Sequence, residues 1–83
     1  MKKILIEVKL PAANIVYDLV ISDQMQVGVL TQLVSKVFAT LSNGVYMASP
    51  HSILCNQKTG NEYDLNLRIC DTDICDGTKL FLF

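Results

Sequence analysis

The hydrophobic period of this chain changes once, and that change decides the fold class. From Lys2 to Leu10 the residues alternate, with Ile4, Ile6, Val8 and Leu10 facing one way and Leu5, Glu7 and Lys9 the other. A period of two marks a strand with one buried face. Pro11, Ala12, Ala13 and Asn14 then make a turn, because proline ends a hydrogen-bonded ladder and asparagine tolerates turn geometry. In a second alternating run Ile15, Tyr17, Leu19 and Ile21 line the core, while Val16, Asp18 and Val20 face outward. So short a connection makes the two strands an antiparallel hairpin.

After Ser22 the period becomes helical. Asp23 with Gln26 three residues on reads as a capping-box-like start, and Val27, Leu30, Val34, Val37, Phe38 and Leu41 recur on one face until Asn43-Gly44 supplies the stop. Gly28 costs that helix ~1 kcal/mol relative to alanine, so its first turn is expected to lean on the packing of Val27 and Leu30. Beyond a loop holding Tyr46, Met47, Pro50 and His51, Ile53-Leu54-Cys55 predicts a short strand. Lys58-Thr59-Gly60-Asn61 predicts a turn, and Glu62 to Leu65 a weaker strand. Ile69 to Phe83 reads as a buried turn, an Asp76-Gly77 bend and a final strand with Leu80 and Leu82 inward.

One amphipathic helix can bury its stripe only against one face of a sheet, which gives a two-layer α+β domain. With the first and last strands parallel and adjacent, the expected fold is a β-grasp: a mixed sheet of four to five strands packed on one helix. A ferredoxin-like split arrangement needs a second helix, and nothing after Gly44 has the periodicity for one. The 83 residues are expected to form a single domain over 1–83. With 51% hydrophobic and 18% charged residues disorder is not expected, and the apolar runs are far short of the roughly 20 residues that cross a bilayer. Lys2 and Lys3 before an apolar run are broken by Glu7 and Lys9 with no cleavage site, so a cytoplasmic location is expected. A net charge of -1 provides no footprint for nucleic acid or anionic lipid.

The pattern resembles ubiquitin-like domains over nearly the whole chain. It more closely resembles the small YukD/EsaB family encoded with bacterial type VII secretion systems. The residues that carry this are the two alternating strands, Ser22-Asp23 before the helix, and the closing Ile69-x-Asp71-x-x-Ile74-x-Asp76-Gly77-x-x-Leu80-x-Leu82. The resemblance implies a bacterial, cytosolic accessory factor of the machine that exports small helical WXG-type proteins, docking on a larger component of it. It brings no catalytic residue and no cofactor. The sequence stops on the final strand at Phe83 without the terminal Gly-Gly that conjugation requires, so a non-conjugated protein is expected.

Chemical sites are few. Cys55, Cys70, Cys75 and His51 are zinc-ligand types, but a structural zinc site usually offers a close Cys pair, whereas Cys70 and Cys75 are separated by four residues. Cys55 is moreover expected inside a strand with an inward side chain. Three reduced thiols in a cytosolic protein behave as small apolar residues. One loop histidine makes no triad, and Asp71, Asp73 and Asp76 lack calcium-loop spacing. Asp71 is expected to cap backbone donors in the buried turn, and Asp76 with Gly77 to form the bend. No catalytic, cofactor or metal residue is assigned, and no enzyme is expected. The alternatives are a small thiol or redox protein using Cys70 or Cys75, or a ubiquitin-like adaptor of another pathway.

Alternation draws attention to the outer sheet face. With Leu80 and Leu82 inward, Phe81 and Phe83 point outward, flanked by Leu54 on one neighbouring strand and Leu5 on the other. Leu5, Leu54, Phe81 and Phe83 are therefore expected to form one contiguous apolar patch, and the resemblance implies that this face binds partners. A patch of this kind meets either another protein or a second copy of the chain as a homodimer.

Overall fold

In the computed structural model, which describes residues 2–47 and 51–83, the elements follow in the order β1 (Lys3–Leu10), β2 (Ile15–Ser22), α1 (Val27–Leu41), β3 (Leu54–Asn56), a short 3-10 turn (Ile69–Asp71) and β4 (Lys79–Leu82). The sheet order is β2-β1-β4-β3. β1 pairs antiparallel with β2 and parallel with β4, and β3 closes the far edge antiparallel to β4. First and last strands thus lie side by side at the centre of a mixed four-stranded sheet, the β-grasp arrangement. Asn14 sits in the left-handed region at φ 52° in the β1–β2 turn, and Asn43 and Gly44 at 52° and 85° end the helix. Pro50, expected in the loop before β3, lies outside the described residues.

Ile4, Ile6, Val8 and Leu10 of β1 and Leu80 and Leu82 of β4 are buried against Val27, Leu30, Val34 and Phe38 of α1, with Ile69 and Ile74 closing the end of the core. The helical stripe is rotated slightly from expectation. Val37 is only half-buried and Leu41, in the last turn beyond Phe38, is exposed, while Thr31 and Ser35 are buried. Both polar residues are satisfied: the Thr31 hydroxyl donates to the Val27 carbonyl at 2.8 Å, and the Ser35 hydroxyl lies 3.0 Å from that of Tyr46. The Tyr46 hydroxyl is in turn 2.8 Å from Ser52 Oγ, which ties the loop before β3 onto the helix. Tyr17, expected in the core, is 38% exposed. It lies on the helix side of the sheet, but β2 is an edge strand and the helix covers its inner face incompletely.

The helix starts later than its sequence suggests. Asp23 stays in the hairpin ladder, its N–H donating to the Lys2 carbonyl at 2.8 Å and its carboxylate accepting the Lys2 N–H at 3.0 Å. That backbone hydrogen bond holds the Asp23 carboxyl below the usual carboxylate range. Gln26 is the N-cap instead and makes no side-chain cap. The orphan N–H groups of the first turn are met by a distant segment: Val27 donates to the Leu67 carbonyl at 2.8 Å and Gly28 to the Leu65 carbonyl at 2.9 Å. A Cβ on Gly28 would stand 3.0 Å from that Leu65 oxygen, so glycine is needed for close approach. The strand expected over Glu62 to Leu65 shrinks to a single bridge between Glu62 and Cys55. The backbone of Leu65 and Leu67 is committed to the helix, not to the sheet.

Candidate protein-binding face

The outer face of the sheet is built from alternate residues of each strand, and the register says which of them meet. Leu5 stands beside Val20, Glu7 beside Asp18 and Lys79, and Lys9 beside Val16 and Phe81. On β3 the residue opposite Phe81 is Cys55, and Leu54 is opposite Leu82. Directly opposed residues of an antiparallel pair share a face. Leu82 points inward, so Leu54 does too and is completely buried. The expectation that Leu54 lies in the outer patch is therefore corrected. Cys55 takes the outward place. It is buried because the Glu62 bridge brings the chain over it, and desolvation, aided by the Glu62 charge, raises its thiol pKa.

Leu5, Phe81 and Phe83 do face outward, but they do not form one patch. The row Asp18, Glu7, Lys79 crosses the sheet between Leu5 and Phe81 and divides the face into two apolar ends. At one end Leu5 lies beside exposed Val20. At the other, Phe81 is half-buried and Phe83 is 57% exposed, their rings 5.7 Å apart between centroids and tilted by 53°. Aromatic rings at this separation and tilt attract through their quadrupoles. Phe83 is held in place by two 2.9 Å backbone hydrogen bonds with Ile53, which continue the β3–β4 ladder one residue beyond β3. Val16, 51% exposed and in the Phe81 row, and Val20 were already read as outward in the sequence; only the cross-strand register assigns them to these two ends.

The turn into β4 fixes the position of the aromatic pair. The Asp76 carboxylate accepts the Leu5 N–H at 2.7 Å, and the Gly77 N–H donates to the Leu5 carbonyl at 2.7 Å with Gly77 at φ 88°. Asp71 plays no capping part: Thr72 does, its hydroxyl donating to the Ile69 carbonyl and accepting the Ile74 N–H. Of the thiols, Cys70 and Cys75 are exposed and Cys55 is buried, and all three are free. Cys75 lines an open groove of about 670 Å³ together with Asn56, Lys58, Asp73 and Lys79. Among the described residues no cluster of three or more His, Cys, Asp or Glu side chains could hold a metal ion. No helix there is long and apolar enough to cross a membrane.

One helix on a mixed sheet with parallel central first and last strands is a ubiquitin-like fold, and comparison with known proteins agrees. No family model and no curated protein sequence matches the chain. Among solved structures, its whole length is similar to the ubiquitin-like domain of EccD5 from Mycobacterium xenopi, with a TM-score of 0.78, 18% identity and 94% of that chain covered. It is similar to a chain of the MycP5-free ESX-5 inner membrane complex at a TM-score of 0.77 and 16% identity, over 98% of this chain and 20% of that one. A ubiquitin-like domain from Arabidopsis thaliana gives a TM-score of 0.72 and 18% identity, covering 100% of this chain and 78% of that one. At such identities the likeness is one of fold.

Proposed function

We propose that this chain is a non-enzymatic ubiquitin-like adaptor of a bacterial type VII, WXG-type secretion system, acting in the cytoplasm by binding a larger component of the machine. The observation that carries the reading is the Phe81–Phe83 pair, presented on the outer face of a rigid sheet. Aromatic side chains concentrate interface energy, and here two lie side by side, Phe83 opposite Ile53 and Phe81 in one cross-strand row with Lys9 and Val16. Two likenesses support secretion as the setting. The closing motif and hairpin resemble the YukD/EsaB family, and the similar structures include an EccD5 domain and a chain of an ESX-5 inner membrane complex.

The test is calorimetric titration of this chain with the cytoplasmic part of a type VII secretion membrane component from the same organism. Binding is expected, and Phe83→Ala should weaken it by about 2 kcal/mol, or ~30-fold, while leaving the melting curve unchanged. Leu5→Ala, at the other end beyond the charged row, should leave affinity within about twofold. Absence of binding, or binding indifferent to Phe83, would overturn the proposal.

A further inference from the structure

Asp76-Gly77 and Asn43-Gly44 both turn the chain, and the fold treats them oppositely. Asp76-Gly77 is locked on both sides: the Asp76 carboxylate accepts the Leu5 N–H and the Gly77 N–H donates to the Leu5 carbonyl, each at 2.7 Å. Asn43-Gly44 is held only by the helix it ends. The Asn43 N–H donates to the Thr40 carbonyl and the Gly44 N–H to that of Ala39, both at the long distance of 3.2 Å, in the paired arrangement of a Schellman cap. Both residues are exposed, and the Asn43 side-chain amide has no hydrogen bond among the described residues. Helix ends of this kind fray at little cost.

An asparagine carboxamide is attacked by the backbone nitrogen of the following residue when that nitrogen is free and uncrowded. Glycine, with no Cβ, crowds it least. No described atom lies within 4 Å of the place a Cβ on Gly44 would take, so the approach is open. The other asparagines lack this combination. Asn14, Asn61 and Asn66 precede Ile15, Glu62 and Leu67, and Asn56 is committed, its oxygen accepting the Lys58 and Thr59 N–H groups and its amide donating to the Tyr63 hydroxyl.

We propose that Asn43 is the deamidation site of the folded chain, and that its conversion loosens the end of α1. The Gly44 nitrogen gives up its proton and bonds to Asn43 Cγ, the Cγ–Nδ2 bond breaks, and ammonia leaves with that proton, closing a succinimide. Water then opens the ring. Attack at Cγ yields aspartate, whereas attack at the main-chain carbonyl yields isoaspartate, in which the chain runs through Cβ and Cγ. Neither product suits the site. The carboxylate of either faces the negative end of the helix dipole. Isoaspartate also adds a main-chain carbon between the two N–H groups of the cap and spoils their spacing to Thr40 and Ala39. The loop beyond depends on that geometry: the Tyr46 N–H donates to Ser42 Oγ at 2.9 Å and the Val45 N–H to the Ser42 carbonyl at 3.1 Å. Conversion therefore acts on the segment that the Tyr46 hydroxyl ties to Ser35 and Ser52.

Peptide mapping by mass spectrometry of the folded chain held at mildly alkaline pH, beside the same chain in denaturant, tests this. A methyl-acceptor assay detects isoaspartate, and amide exchange is followed on the purified product. In the folded chain Asn43 is expected to convert first, at a rate within ~10-fold of that in denaturant, because a frayed end opens at little cost. Asp76 should form isoaspartate in denaturant only. Asn43→Gly, which accepts the φ of 52° without strain, should fold and abolish the early product. In the converted chain the Gly44, Val45 and Tyr46 amides should exchange faster than before. Asn43 still intact in the folded chain when the denatured control has converted, conversion in neither, or a first product at any other residue would each overturn the site. Unchanged exchange at those three amides would overturn the loosening.

Discussion

The two edges of the one sheet are finished in different ways. At the β3 edge the strand is three residues long, and the chain doubles back to cover it: Asn56 donates its N–H to the Asn61 carbonyl at 3.0 Å, Tyr63 donates to the Leu54 carbonyl at 3.1 Å, and Glu62 bridges Cys55. Asn56 secures the return, its side-chain oxygen accepting the Lys58 and Thr59 N–H groups and its amide donating to the Tyr63 hydroxyl. At the β2 edge eight residues run uncovered by any described residue. A protein that folds residues 57–63 back over a three-residue edge and leaves the longer one bare has made one side structural and the other available. The residues of the sealed edge should accordingly be intolerant of change where those of the open edge are tolerant.

The sharpest form of that contrast is a pair of truncations. Leu54→Ala should destabilise the fold by ~2 to 5 kcal/mol, the range for deleting a fully buried leucine, whereas Val20→Ala should stay within ~0.5 kcal/mol in denaturant melts of dilute protein. Equal effects would erase the distinction between the edges. Next in size is Asn56→Ala, expected to cost about 1 to 2 kcal/mol because several hydrogen bonds lose their partner. It should also speed alkylation of Cys55, whose burial and raised pKa make it the slowest of the three thiols in the wild type. Smallest is a pH effect on the seal. The Tyr63 hydroxyl donates to Asp73 at 2.6 Å, and burial, the first cause, together with this bond pushes its pKa up from 10.0 to about 12. The folded state then holds the proton more tightly than the unfolded one. Its contribution to stability is complete below pH 10 and fades as the pH climbs from there toward about 12. Melting profiles should show that loss in the wild type and a flatter alkaline limb in Tyr63→Phe.

The fold was legible because strong alternation and a single helical stripe leave few arrangements, and the residues that carry them, Ile4 to Leu10 and Val27 to Phe38, are the core. The outer face was half legible. Phe81 and Phe83 were placed by alternation from Leu80 and Leu82, whereas Ile53-Leu54-Cys55 are three consecutive apolar residues with no alternation to choose a face. Only pairing with β4 turns Leu54 inward. The charged row that splits the patch joins Asp18, Glu7 and Lys79 from three strands, and no local pattern announces a cross-strand neighbour. The same holds for the helix start. Asp23 has the chemistry of a cap, but its backbone is held by Lys2, twenty-one residues away.

The borrowed cap of the helix has a further consequence. Val27 and Gly28 are bonded to Leu67 and Leu65, while Ile69 donates to the Met25 carbonyl and Cys70 to that of Asp23, each at 2.8 Å. The start of α1 and the residues just before it are thereby laced to residues 65–70. In cooperative terms the expected opening unit is residues 65–70 together with the start of the helix. A force or a binding partner that lifts residues 65–70 would unwind the start of α1 with them, so a tug on a surface loop is transmitted to the helix beneath without any change in the sheet.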